Sequence, residues 1–160
     1  MGSLTVLAVG KMKEKFYLSA CEEYKKRLGG YGTFELLELP ESRLPENPSP
    51  AEIRSGLARE AEEIRRHIPK GAFFCVCTPE GKELSSEELA QTVQRVRTGG
   101  KSAVCVLIGS SFGIDPALKQ EADLKLSFSK MTFPHHLFRV MLLEQLYRAE
   151  TILAGSKYHK

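Results

Sequence analysis

Along this 160-residue chain the apolar positions fall into five short runs, separated by stretches where they recur every three or four residues. Residues 4–9 form an apolar run ending in Gly10, residues 33–39 alternate, residues 72–77 and 103–108 are apolar throughout, and residues 124–128 supply a fifth run. Continuous apolar runs of this length predict strands covered on both faces. Between them, Phe16, Tyr17, Ala20, Cys21, Tyr24 and Leu28 lie at helical spacing and Gly29-Gly30 ends the pattern. Ser49-Pro50-Ala51-Glu52 and Ser85-Ser86-Glu87-Glu88 are capping boxes. The first opens the stripe Ile53, Leu57, Ala61, Ile64 and Ile68; the second opens Leu89, Val93 and Val96. Asp115-Pro116 starts a short helix through Ala122, and the proline-rich residues 40–50 form a stiff surface loop. Strands alternating with helices predict one α/β domain over residues 1–160, a mainly parallel sheet flanked by helices.

In such sheets ligands bind beyond the carboxyl ends of the strands. Residues 78–82, 109–115 and 127–134 occupy those ends and are expected to converge on one pocket. The last of them carries Ser127, Ser129, Thr132 and Lys130 among Phe128, Met131 and Phe133, followed by Pro134 in the first turn of a helix. Hydroxyls and a helix N-terminus beside a buried loop are a binding-site profile; a well-packed turn is the alternative. The helix from about 134 to 154 is apolar nearly all round, so burial on more than one side, including against a second subunit, is expected.

Candidate chemistry is sparse elsewhere. Gly109-Ser110-Ser111-Phe112-Gly113 matches the nucleophile pattern of serine hydrolases with Ser111 as nucleophile, but the helix after it starts several residues too late for a nucleophile elbow. Gly10-Lys11 and Gly81-Lys82 lack the remaining residues of a phosphate loop. Cys75 and Cys77 lack ligand spacing with the four histidines, so buried thiols and no metal are expected. His135 and Arg139, one turn apart, flank the hydroxyl-rich loop and carry the functional reading there, whereas His136 reads as a solvated helix start. Glu144 and Arg148 are spaced for an ion pair, and the tail of Tyr158, His159 and Lys160 places an aromatic among basic groups, the composition of a nucleic-acid contact.

A net charge of +3 neither announces nor excludes nucleic acid. Four cysteines without disulfide spacing, no apolar run of membrane-span length and no signal-peptide core predict a cytoplasmic protein with reduced thiols, not associated with a membrane.

Taken together, Leu7-Ala8-Val9-Gly10-Lys11, Leu107-Ile108-Gly109, Leu126-Ser127, Met131-Thr132-Phe133-Pro134-His135, Arg139-Val140, Glu144-Gln145-x-Tyr147-Arg148-Ala149 and Tyr158-His159-Lys160 resemble the ribosomal RNA large subunit methyltransferase H family of SPOUT-class enzymes, over essentially the whole chain. The resemblance implies a C-terminal trefoil knot, a homodimer and S-adenosylmethionine as methyl donor. It also implies, as substrate, N3 of a pseudouridine in 23S rRNA of the assembled ribosome. Carried over by position, it implies a cofactor site of Cys77, Gly109, Phe128, Ser129, Lys130, Met131, Thr132 and Phe133. His135 or Arg139 would orient or stabilise the reacting base, and Arg139, Tyr158 and His159 would hold RNA, the last two either within their own chain or across the dimer. Two positions depart from the family pattern: Cys77 stands where leucine is common, and Ser110 replaces a second glycine. A non-catalytic RNA- or ribosome-binding module on the same fold is the alternative from another class.

Overall fold

Five strands and five helices alternate in the computed structural model, which describes residues 2–160. The strands are β1 (Ser3–Val9), β2 (Thr33–Leu39), β3 (Phe73–Glu83), β4 (Ala103–Ile108) and β5 (Leu124–Ser127). The helices are α1 (Lys15–Gly29), α2 (Pro50–His67), α3 (Ser86–Thr98), α4 (Pro116–Glu121) and α5 (His135–Leu153). All strand pairs are parallel and the order is β2-β1-β4-β3-β5, so all the predicted strands join one sheet. Both predicted capping boxes form, at Ser49 with Glu52 and at Ser85 with Glu88. No helix among the described residues is long and apolar enough to cross a membrane.

The pleat divides the core into two layers. Leu4, Val6, Ala8, Cys75, Val104, Val106 and Ile108 face Leu28 of α1, Leu89 of α3 and Leu142, Leu143 and Leu146 of α5. Leu7, Val9, Phe74, Val76, Cys105 and Leu107 face Ala61 and Ile64 of α2 and Leu118 of α4. Every central strand is therefore apolar on both faces, which is why its sequence shows no alternation. Cys75 and Cys77, two residues apart, share one face as strand geometry requires.

Two local differences from the sequence expectation bear on the site. Residues 78–82, expected as a loop, remain part of a long β3. The strand pairs with Leu126 at Cys77 and again at Lys82, an irregularity that curls its end over β5. At Gly81 an added Cβ would lie 2.7 Å from the Lys125 carbonyl, so only glycine fits this close approach. Pro134 stands just before the first turn of α5, with ψ of 134°, because a residue that already lacks an N–H can serve as the extended residue before a helix.

Candidate active site

The carboxyl ends of β3, β4 and β5 open into a cavity of about 530 Å³, within the roughly 300–1,000 Å³ usual for small-molecule sites. Cys77 and Thr78 come from β3, Ile108 and the turn after it from β4, Leu126 and Ser127 from β5, and His135 and Phe138 from α5. The three segments expected to converge do so, the first of them as strand rather than loop.

Gly109 occupies the tightest point. A Cβ there would lie 2.5 Å from both the Gly113 carbonyl oxygen and Ile114 Cγ1. The turn is closed in both directions: Ser110 N–H donates to Gly113 O at 3.2 Å, and Gly113 N–H to Ser110 O at 2.9 Å. Gly113 has φ of +96°, a conformation that L side chains disfavour. Across this turn, His135 Nε2 donates to the Gly109 carbonyl. A carbonyl can only accept, so this contact puts the proton on Nε2 and leaves Nδ1 as the acceptor nitrogen. Burial holds the imidazole below its ordinary pKa, outweighing the Gly109 contact, so the ring is neutral near pH 7.

The loop 128–133 is folded on itself. Ser127 Oγ donates to Ser129 O at 3.0 Å, and Met131 N–H donates to Ser129 Oγ at 3.0 Å. The rings of Phe128 and Phe133 pack on Phe138, with centroids 4.7 and 6.4 Å away. Both serine hydroxyls are thus engaged in shaping the loop. At the rim, Lys119 of α4 donates to Glu80 at 2.7 Å, and Lys119 with Thr78 holds the Glu80 carboxyl at about 2. That carboxylate is too weak a base to draw a proton near neutrality. Burial pushes the Cys77 thiol on the cavity wall up to about 12, so it acts as an apolar wall group.

Of the residues assigned to the site from sequence, Cys77, Gly109, Phe128, Ser129, Met131, Thr132, Phe133 and His135 line the cavity, whereas Lys130 and Arg139 do not. Arg139 is 1% exposed. Its Nη1 donates to Glu38 at 2.5 Å and its Nη2 to the Gly10 carbonyl at 3.0 Å, so in this chain it reaches neither cavity nor solvent. Its expected contact with RNA therefore gives way to a role in holding the ends of β1 and β2 against α5. His136 is not a solvated helix start: its Nδ1 donates to Glu14 at 2.7 Å, tying α5 to α1.

The tail is folded back rather than frayed. Tyr158 OH donates to Glu144 at 2.8 Å, its ring lies 4.8 Å from Tyr147, and the Arg148 guanidinium stands 4.8 Å over it. Arg148 bridges to Glu144 at 3.0 Å as its spacing predicts, and donates to His159 Nδ1 at 3.1 Å. His159 Nε2 then donates to Glu87 at 2.5 Å. Ser111 donates to Glu41 at 2.8 Å, no histidine contacts it among the described residues, and α4 begins only at Pro116. That geometry removes the nucleophile reading.

Sequence reasoning missed Lys119 and Phe138. Phe138 read as one more apolar position of α5; Lys119 meets Glu80 across 39 residues, with no local signal.

A family model described as "Predicted SPOUT methyltransferase" matches residues 3–159. The chain is similar to the ribosomal RNA large subunit methyltransferase H of Moorella thermoacetica, with 46% identity over 157 residues covering 98% of each chain. It is equally similar, at 46% over 157 residues, to the protein of the same name from Bifidobacterium adolescentis, covering 98% of this chain and 99% of the relative.

Proposed function

This chain belongs to the SPOUT methyltransferase family, and from that premise we propose that it transfers a methyl group from S-adenosylmethionine to N3 of a pseudouridine in 23S rRNA. It would act in the cytoplasm on the assembled ribosome, as a homodimer of single-domain subunits over residues 1–160, each with a C-terminal trefoil knot. The observation that carries the reading is the cavity at three parallel strand ends, walled by Gly109, Phe128, Met131, Phe133 and His135.

The residues present fit the cofactor. Gly109 lets the turn 109–114 close on itself at the cavity wall, where a Cβ would meet the Gly113 carbonyl and Ile114. Phe128, Met131 and Phe133 would enclose the adenine, and backbone groups of Gly109, Ser129 and Thr132 would satisfy its edge and the ribose. Lys130, which does not line the cavity, would serve only to link Ser129 to Met131 in the loop. When bound, S-adenosylmethionine supplies a methyl group already activated by its sulfonium. The chain's own task is then alignment and removal of the N3 proton. His135, neutral and with Nδ1 as acceptor, is the cavity group suited to take that proton near pH 7, since Glu80 is held at about 2. Arg139 would act as a positioning residue, and Tyr158 and His159 would meet RNA from the second subunit.

Calorimetric titration with S-adenosylmethionine and S-adenosylhomocysteine, followed by methyl transfer to ribosomes lacking the modification, tests this reading. One micromolar site per chain (roughly −8 kcal/mol) and a methyl group on N3 by mass spectrometry are expected. Ribosome binding without cofactor binding would leave the non-catalytic RNA-binding module in its place.

A further inference from the structure

The end of the sheet that opens the cavity also presents a charged loop that methyl transfer itself does not use. Residues 10–14 join β1 to α1; Lys11 and Lys13 are exposed on either side of buried Met12, and Lys15 and Phe16 are exposed in the first turn of α1. None of the three lysines is ion-paired among the described residues.

Three anchors hold the loop. Arg139 donates to the Gly10 carbonyl at 3.0 Å, Met12 N–H donates to Glu38 at 3.0 Å, and Glu14 accepts from His136 at 2.7 Å. His136 follows His135, which lines the cavity. The lysines therefore stand on a fixed backbone next to the site, so less ordering remains to be done when a ligand arrives.

The exposed large hydrophobics among the described residues are Phe16 at 67%, Leu18 at 40%, Phe112 at 46% and Met131 at 75%. Phe112 and Met131 belong to the cavity lining, and Phe16 and Leu18 to the first turn of α1. A solvated charge run would need neither the buried guanidinium beneath it nor an exposed aromatic beside it. Unpaired cations next to an exposed aromatic fit a polyanion with stackable bases.

We propose that Lys11, Lys13, Lys15 and Phe16 form a docking surface for single-stranded RNA flanking the reacting base, with the three ammonium groups on phosphates and the Phe16 ring against an unpaired base. This rests on the methyltransferase reading, deepening it by naming where the substrate lies.

The test compares the full-length wild type with K11Q/K13Q/K15Q, K11R/K13R/K15R and F16A, using methyl transfer to ribosomes, calorimetry with S-adenosylmethionine and sedimentation. The Lys→Gln variant should bind S-adenosylmethionine as the wild type does and turn over with similar kcat. Its KM for ribosomes should rise about tenfold or more, and the slope of log affinity against log salt should flatten by about 2, roughly 0.7 for each phosphate no longer neutralised. The arginine variant should restore both. F16A should raise KM about fivefold or more, as removal of one base stack does. Unchanged KM and salt slope in the Lys→Gln variant would overturn the proposal, and so would its conversion to monomers, which would make this face a contact between copies. If the wild type transfers no methyl group, the methyltransferase reading has failed. The docking surface is then judged by the same salt slope in filter binding of a 23S rRNA fragment, where equal slopes for wild type and Lys→Gln would overturn it.

Discussion

The guanidinium of Arg139 and the carboxylate of Glu38, 101 residues apart in sequence, meet at 2.5 Å with the arginine fully buried. Glu38 also accepts from the Met12 N–H, and Arg139 also donates to the Gly10 carbonyl, so one pair fastens α5 to the ends of both β1 and β2. Burial pushes the Glu38 carboxyl up, but Met12 and Arg139 outweigh this and hold it below the usual carboxylate range.

Replacing Arg139 with alanine removes both bonds and empties a core volume. We expect a loss of about 2–4 kcal/mol in chemical denaturation, toward the lower end because Glu38 can be partly rehydrated. Arg139→Lys should recover only part of this, since an ammonium cannot span both acceptors. Cofactor affinity, measured by calorimetry on the folded fraction, should stay within a few fold, because Arg139 is not part of the cavity wall.

His135 sets a pH dependence whose sign follows from its burial. Its folded pKa lies below the ordinary 6.5, so between those values the unfolded chain takes up a proton that the folded chain does not. Stability therefore rises with pH up through about 6.5 and levels off above it. Urea midpoints from pH 5 to pH 8 should show this rise in the wild type and a shallower one in His135→Asn. Methyl transfer should fall on the same acidic limb.

Gly109→Ala introduces a Cβ 2.5 Å from the Gly113 carbonyl oxygen. The obstacle is backbone, so the turn must open rather than a side chain move aside. Loss of calorimetric cofactor binding is expected, with a destabilisation of about 1–3 kcal/mol from overpacking.

Tyr158→Phe leaves the ring on Tyr147 and removes the hydroxyl bond to Glu144. Denaturation should report a cost of about 1 kcal/mol. Deleting residues 158–160 also removes the hydrogen bonds of His159 with Arg148 and Glu87. Cofactor binding by that truncated chain should persist while methylation of ribosomes drops about tenfold or more, as expected when an RNA anchor is removed. Unchanged methylation would assign the tail a purely structural role.

The fold was legible because its signals are local. Short uninterrupted apolar runs rich in valine and isoleucine, such as residues 103–108, favour strands covered on both faces, and Ser49 and Ser85 cap their helices through contacts three residues away. The three loops at the strand ends were legible for the same reason, since a parallel sheet brings its carboxyl ends together whatever the details. The family came from motif residues such as Thr132, Phe133, Pro134 and His135, and the match over residues 3–159 agrees with it.

What the tertiary structure alone decided is which polar groups are free. Glu38 with Arg139, Lys119 with Glu80, His136 with Glu14 and His159 with Glu87 join positions 39 to 122 residues apart, and no periodicity encodes such partners. Pattern shows where a side chain is made to be buried. Whether a charge is spent inside the protein or left for a ligand depends on what the fold sets beside it, which is why Arg139 moved from the RNA face to the core and Lys11, Lys13 and Lys15 remained outside.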